Sequence, residues 1–328
     1  MGSTKTMHDV AALAGVSIAT VSRVLSGHPG VSATRRRAVL AACEELDYAP
    51  DALASALKTG SSKSIGIVIP DITNPFFPAV VKSAEHELAQ SALDIVLGDS
   101  DNDIGVERQR IDTLLRRRVD ALLVCPVHVQ DSASALRSAA RSTRVLQLDR
   151  VALPEADFVG VDHAMGMDQV VRHLLTQGAR SGMFLGLHPS MSTIQERAAG
   201  FEDACRRHRL TTLRATPLAF PDLAHGRAAA RKILDGAELP DAIVCANDDI
   251  ASGVLMELAS VTAKSHPRIQ VTGYDDVPAA EIIGLTTVRQ PLRQIGQEAA
   301  RLLQQASDTP RHVRLQPTLV PRDSTTHI

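Results

Sequence analysis

Tryptophan is absent from the 328 residues, and there are only two tyrosines and six phenylalanines, so each aromatic that a motif places carries weight. Four cysteines, Cys43, Cys125, Cys205 and Cys245, lie far apart. No pair has the short spacing of a metal knuckle or a redox motif, which leaves free buried thiols in a reducing compartment. Long hydrophobic runs are also missing. Stretches such as Ala121 to Cys125 fall far short of the roughly 20 residues that span a bilayer. The N-terminus has no apolar run of the kind that marks a secretory signal, so a cytoplasmic protein is expected. There is no basic excess. The net charge of −2 gives no global field for nucleic acid, although a small basic region can sit inside a larger acidic chain, and Arg35, Arg36 and Arg37 form a cluster. With 44% hydrophobic and 22% charged residues, the composition is that of a globular protein with large cores.

Catalytic signatures are missing too. The chain contains no Gly-x-Ser-x-Gly elbow, no Walker phosphate loop and no Gly-x-Gly-x-x-Gly. Asp99, Asp101 and Asp103 begin like a calcium loop, but Ile104 and Arg110 stand where Gly and Glu are required. His8, His86, His128, His163 and His173 lack zinc spacing and read as surface residues. No enzyme activity, metal or cofactor is expected.

Two textures are present. Residues 6–60 read as short helices. Thr6 with Asp9 forms a capping box ahead of Val10 and Leu13, and Gly15 stops the helix. Ser17 caps a second helix carrying Val21, Val24 and Leu25. Ser32 caps a third through Val39, Leu40, Cys43 and Leu46. From Ser64 onward, short apolar runs alternate with helical patterns: Ile65–Ile69, Leu93–Leu97, Ala121–Cys125, Val145–Leu148, Phe158–Val161, Gly182–Leu187, Ala242–Cys245 and Ile269–Thr272. Such runs imply parallel sheets covered on both faces, with ligands beyond the carboxyl ends of the strands. The strands are too many for one compact open sheet, so two lobes are expected.

Met7 to Leu25 has the physics of a helix-turn-helix. Ala11 is small where two helices cross, Gly15 permits the turn, and Val16 and Val21 pin the second helix to the first. Ser17, Thr20 and Ser22 can reach phosphates, while Ile18, Ala19 and Arg23 can point into a major groove. These residues resemble the lactose/galactose-repressor (LacI/GalR) family, and the resemblance spans the chain. Leu46 to Asp51 and Leu53 to Gly60 look like the family's hinge helix. Ser64-Ile65-Gly66-Ile67 with Asn74-Pro75-Phe76-Phe77, then Asn247-Asp248 and Gly273-Tyr274-Asp275-Asp276, look like its effector domain.

The resemblance implies an N-terminal all-α helix-turn-helix domain (residues 1–50), a hinge helix and linker (51–62), and an α/β effector-binding and dimerisation domain (63–328). The last is two-lobed and periplasmic-binding-protein-like, with two parallel, Rossmann-like sheets. The chain is expected to cross between the lobes near 150–161 and again near 285–320. It further implies a homodimer on palindromic operator DNA, with no membrane partner. Arg23 would contact a guanine, Ile18 and Ala19 would set preference at neighbouring bases, and Thr6 and Ser32 would complete the contacts of the helical domain. Ala54, Leu57 and Lys58 would enter the minor groove, Leu57 as a wedge.

The effector domain is similar to the ribose-binding proteins of the periplasm. That similarity implies ligand contacts from Asn74, Phe76, Phe77, Asp149, Arg150, Arg197, Phe220, Asn247, Asp275 and Gln290. The set suits a small polyol, because carboxylates, amides and guanidiniums meet hydroxyls while phenylalanines pack on C–H faces. Ribose or a related pentose or ribosyl compound is the expected effector. Another sugar, a sugar acid or a purine is the alternative. A periplasmic-type receptor without a DNA role would share the cleft but would need a signal peptide and no helix-turn-helix.

Overall fold

The computed structural model describes residues 5–48, 61–260, 269–305, 307 and 309–326. Its chain divides into two compact units, Met1–Ser62 and Lys63–Ile328. Ala54, Leu57 and Lys58 lie outside the described residues. Among the described residues no single helix is long and apolar enough to cross a membrane.

In the first unit, α1 (Met7–Ala14), α2 (Ile18–Leu25) and α3 (Ala33–Glu45) pack around Val10, Ala11, Val21, Val24, Val39 and Ala42. The Thr6 capping box forms, with the Thr6 N–H donating to Asp9 Oδ2 at 2.8 Å and the Asp9 N–H to Thr6 Oγ1 at 3.4 Å. Gly15 takes φ 62°, a left-handed value that costs a side chain energy, and the Val16 N–H returns to the Ala11 carbonyl at 3.1 Å. The chain thereby turns by 103° into α2, within the range of a helix-turn-helix. Leu13 and Leu40, expected on the apolar faces, are 46% and 51% exposed. The inward arc of α1 is Met7, Val10, Ala11 and Ala14, and Leu13 falls beyond its edge.

The second unit carries two parallel sheets, as expected. The strands of the first are β1 (Ser64–Ile69), β2 (Asp94–Asp99), β3 (Ala121–Val124), β4 (Arg144–Leu148), β5 (Asp157–Val161) and β11 (His312–Leu315), in the order β11-β5-β4-β3-β1-β2. Helices α4 (Phe76–Ala89) and α12 (Leu292–Gln304) cover one face, and α5 (Ile104–Arg116) and α6 (Ser132–Ala139) the other. Successive residues of β1 therefore feed different cores, Ile67 one and Val68 the other, which is why these strands read as continuous apolar runs.

The second sheet has β6 (Ser181–Leu187), β7 (Thr211–Pro217), β8 (Ala242–Cys245) and β9 (Gln270–Thr272) in the order β7-β6-β8-β9. Its core holds residues of α7 (His163–Thr176), α8 (Ser192–His208), α9 (Leu223–Leu234), α10 (Asp248–Ser260) and α11 (Pro278–Ile282). The antiparallel pair β10 (Thr287–Arg289) and β12 (Thr318–Val320) sits beside β9 through the Thr272–Thr286 bridge.

The strand assignments place the crossings between lobes. β5 is still a strand of the first sheet, so the chain leaves it after Val161, at the far end of the expected segment. It returns between β10 and α12, and leaves once more between β11 and β12. β11 is tied in by Asp157, whose carboxylate accepts from Arg311 at 2.7 Å and Arg144 at 3.2 Å. Cys125, Cys205 and Cys245 are buried, Cys43 is half-buried, and all four are free. His163, read as a surface residue, is instead 1% exposed, because it opens α7 directly at the first crossing.

Candidate functional site: a cleft between two sheets and an exposed helix face

Both sheets have their topological switch where the middle strands part, between β1 and β3 in the first and between β6 and β8 in the second. The loops beyond those strand ends diverge there and leave a crevice. A cavity of about 450 Å³ occupies that position, within the range of ligand pockets. Nine of the ten expected effector residues line it: Asn74, Phe76 and Phe77 after β1, Asp149 and Arg150 after β4, and Arg197, Phe220, Asn247 and Asp275 from the other lobe. Gln290 does not reach the lining. It is 2% exposed and stands behind Asp275, its Nε2 donating to Asp275 Oδ1 at 2.7 Å.

The floor is a buried charge network. Arg197, 4% exposed, donates to the Ala246 carbonyl at 2.7 Å and pairs with Asp275 at 3.2 Å, and its guanidinium lies 3.7 Å from the Tyr274 ring centroid. His163 Nδ1 is 2.8 Å from the Tyr274 hydroxyl and 3.4 Å from Arg197 Nε. Burial pushes the Asp275 carboxyl up to about 6 against the opposing pull of Arg197. Burial likewise raises Asp149, with Arg197 and Arg150 opposing, and drives His163 well below its ordinary value, so His163 is neutral. Asp149 Oδ1 and Arg150 Nε are buried without hydrogen-bond partners among the described residues. Buried polar atoms of this kind are costly unless something pairs with them, which suits a ligand carrying hydroxyls.

The walls are held by local structure. Asn74 Oδ1 accepts the Phe76 N–H at 3.0 Å, which sets the start of α4. Asn247 does the same for Ile250 at 2.9 Å while its Nδ2 donates to the Pro221 carbonyl at 2.8 Å. Phe76 and Phe77 meet edge to face at 5.1 Å, and Phe220 stands 60% exposed at the rim. Sequence reasoning missed His163, Tyr274 and the rim aspartates Asp71, Asp222 and Asp249. Asp71 and Asp249 follow strand ends, a position that marks binding loops in such sheets.

In the helical unit, Ile18, Ala19, Ser22 and Arg23 fall on one side of α2, opposite the buried Val21 and Val24. Ile18, Ala19 and Arg23 are exposed. Ser17 caps α2, its Oγ accepting the Thr20 N–H at 3.2 Å and lying 2.9 Å from Thr20 Oγ1. Thr6 and Ser32 cap α1 and α3. Arg36, beside the Ser32 cap, donates to the His28 carbonyl at 2.8 Å.

Comparison with known proteins follows this division. The family of periplasmic binding proteins and the sugar-binding domain of the LacI family matches residues 62–323, and the lacI family of bacterial regulatory proteins matches residues 6–51. The HTH-type transcriptional regulator GalR of Escherichia coli (strain K12) is 33% identical over 302 residues, covering 90% of this chain and 88% of that protein. The HTH-type transcriptional repressor PurR of Haemophilus influenzae (strain PittGG) is 31% identical over 305 residues, 91% of this chain and 90% of that protein. Among solved structures, a lac repressor dimer bound to operator and the anti-inducer ONPF is similar with a TM-score of 0.88 at 26% identity, over 99% of this chain and 100% of that one. Matched over both its units, the chain belongs to the LacI family and is a transcriptional regulator of that family.

Proposed function

We propose that this regulator is a cytoplasmic, non-enzymatic homodimer that represses from palindromic operator DNA, with operator affinity set by a ribose-like or ribosyl effector in the cleft. Residues 1–50 read the DNA, 51–62 form the hinge, and 63–328 bind effector and dimerise. Arg23 reads a guanine, Ile18 and Ala19 read its neighbours, and Ser17, Thr20 and Ser22 take phosphates with Thr6 and Ser32. Ala54, Leu57 and Lys58 enter the minor groove, with Leu57 opening a base step.

The observation that carries the reading is the convergence of nine expected contacts on one cavity between two sheets. The floor network supports a route for the signal. Arg197 and Asp275 join the cavity to His163 at the first crossing and to Gln290 at the second. A ligand that draws the lobes together therefore acts on the segments where the chain changes lobe, and through them on the paired hinges. A coupling of about 1–3 kcal/mol changes operator affinity roughly 5–150-fold.

Calorimetric titration with D-ribose, with gluconate and hypoxanthine as comparators, tests the effector. Saturable ribose binding that is lost in Phe220→Ala and Arg197→Ala is expected. Binding of a comparator with none of ribose overturns the ribosyl assignment and leaves the regulator class untouched.

A further inference from the structure

We infer that the cleft takes an uncharged ribosyl compound bearing an amino group, which Asp71, Asp222 and Asp249 receive at the rim, and that it turns away phosphorylated and carboxylate sugars. The inference rests on the ribosyl reading above and adds the chemistry of the effector's other end.

Charge is the first ground. Five aspartates line the cavity against two arginines. Both guanidiniums already face a carboxylate, although Arg150 Nε keeps no hydrogen-bond partner among the described residues. Arg197 is held by Ala246 and Asp275, while Arg150 stands beside Asp149 and donates to the Pro126 carbonyl at 3.4 Å. His128 Nδ1 accepts from the Gln130 and Asp131 N–H groups, and burial holds His188 below its ordinary value. An oxyanion reaching the rim meets Asp71 and Asp249, which have no cationic partner among the described residues.

The rim is the second ground. Asp71 follows β1, Asp222 caps α9, and Asp249 lies in the first turn of α10. The three are near enough that Asp222 and Asp71 add to burial in raising Asp249. Asp71 already accepts from Thr73, and Asp222 from His225. Asp249 has no hydrogen bond or ion pair among the described residues, which leaves a partly buried carboxylate needing a donor. Deeper in the cleft, the buried Asp149 Oδ1 also lacks a partner, which fits a sugar hydroxyl at that end.

Space and shape are the third. A cavity of about 450 Å³ exceeds what a lone pentose fills. Phe220 lies two residues before Asp222, 5.5 Å from the His225 ring, and offers an exposed flat face on which a heteroaromatic ring can stack.

Calorimetry on the full chain with adenosine, purine riboside, D-ribose and ribose 5-phosphate tests this. Purine riboside lacks only the exocyclic amine of adenosine. Adenosine should bind at least tenfold more tightly than purine riboside, and ribose 5-phosphate at least tenfold more weakly than D-ribose. Asp249→Asn should bring adenosine and purine riboside close together. Ribose 5-phosphate binding as tightly as ribose, no adenosine preference, or a preference that survives Asp249→Asn, overturns the rim assignment and leaves the ribosyl reading in place. No binding of adenosine, purine riboside or ribose overturns that reading and this inference with it.

Discussion

Replacing Arg197 by methionine removes the cation that faces Asp275 in the cleft floor. The two side chains are only 5% and 9% exposed, so water cannot substitute for the lost partner. Breaking a buried pair from one side costs about 3–5 kcal/mol. Since each kcal/mol moves the melting temperature of a unit this large by about 2–4 °C, a drop of at least about 6 °C follows. The drop depends on pH. The Asp275 carboxyl, at about 6, lies above its ordinary 3.8, so its protonation favours the folded state. That contribution is fully present below pH 3.8 and is lost as pH rises through about 6. At pH 5 the folded carboxyl is largely neutral and Arg197 matters less. At pH 8 it is ionised and needs its cation. His163 acts in the same direction, because Arg197 helps to hold it below its ordinary value and so weakens the fold as pH falls through the histidine range. The deficit of Arg197→Met is therefore larger at pH 8 than at pH 5, and Arg197→Met with Asp275→Asn recovers part of it. Differential scanning calorimetry of wild type, both single variants and the double variant decides the matter. A deficit that does not change with pH, or a double variant as unstable as the two single losses added together, would refute the reasoning.

Two other variants probe the remaining parts. Arg23→Ala should relax base preference at one step of each half-site, by about 1–3 kcal/mol, in selection from random-sequence DNA. A uniform loss across all sequences makes Arg23 a phosphate contact instead. Gly253→Ala should lower the melting temperature of the second unit, because a Cβ there would run into the Leu223 carbonyl oxygen and force α9 and α10 apart. Overpacking of this kind costs about 1–3 kcal/mol, and an unchanged melting curve would show that the helices shift freely.

The two-lobed architecture was legible because buried parallel strands leave continuous apolar runs, and all eight expected strands are present. The four that were missed leave no such run. β7 is an edge strand reading Thr-Thr-Leu-Arg-Ala-Thr-Pro with both faces partly wet, and β11 alternates exposed and half-buried residues. β10 and β12 are three residues each, too short to show a period. In the helical unit the caps at Thr6, Ser17 and Ser32 were readable from local spacing, whereas the exposure of Leu13 and Leu40 depends on where the third helix packs. The site followed the same division. Its lining residues lie in recognisable motifs, but the placing of Gln290 behind Asp275, and of His163 under Tyr274, arises from contacts across more than one element. A histidine at a crossing looks no different in sequence from one on a surface.

The pairing of β11 with β5 has a consequence for synthesis. Five strands of the first sheet are complete by Val161, but the sixth begins only at His312. In between, the ribosome makes the whole second sheet. At about 5–20 residues per second that interval lasts roughly 8–30 s. Throughout it β5 offers an open edge, and Asp157 waits for Arg311. The first lobe is thus a discontinuous domain, and its quality control falls late in translation. Substitutions near position 312 should reduce the yield of folded protein by leaving a nascent sheet edge open to chaperones and to other chains.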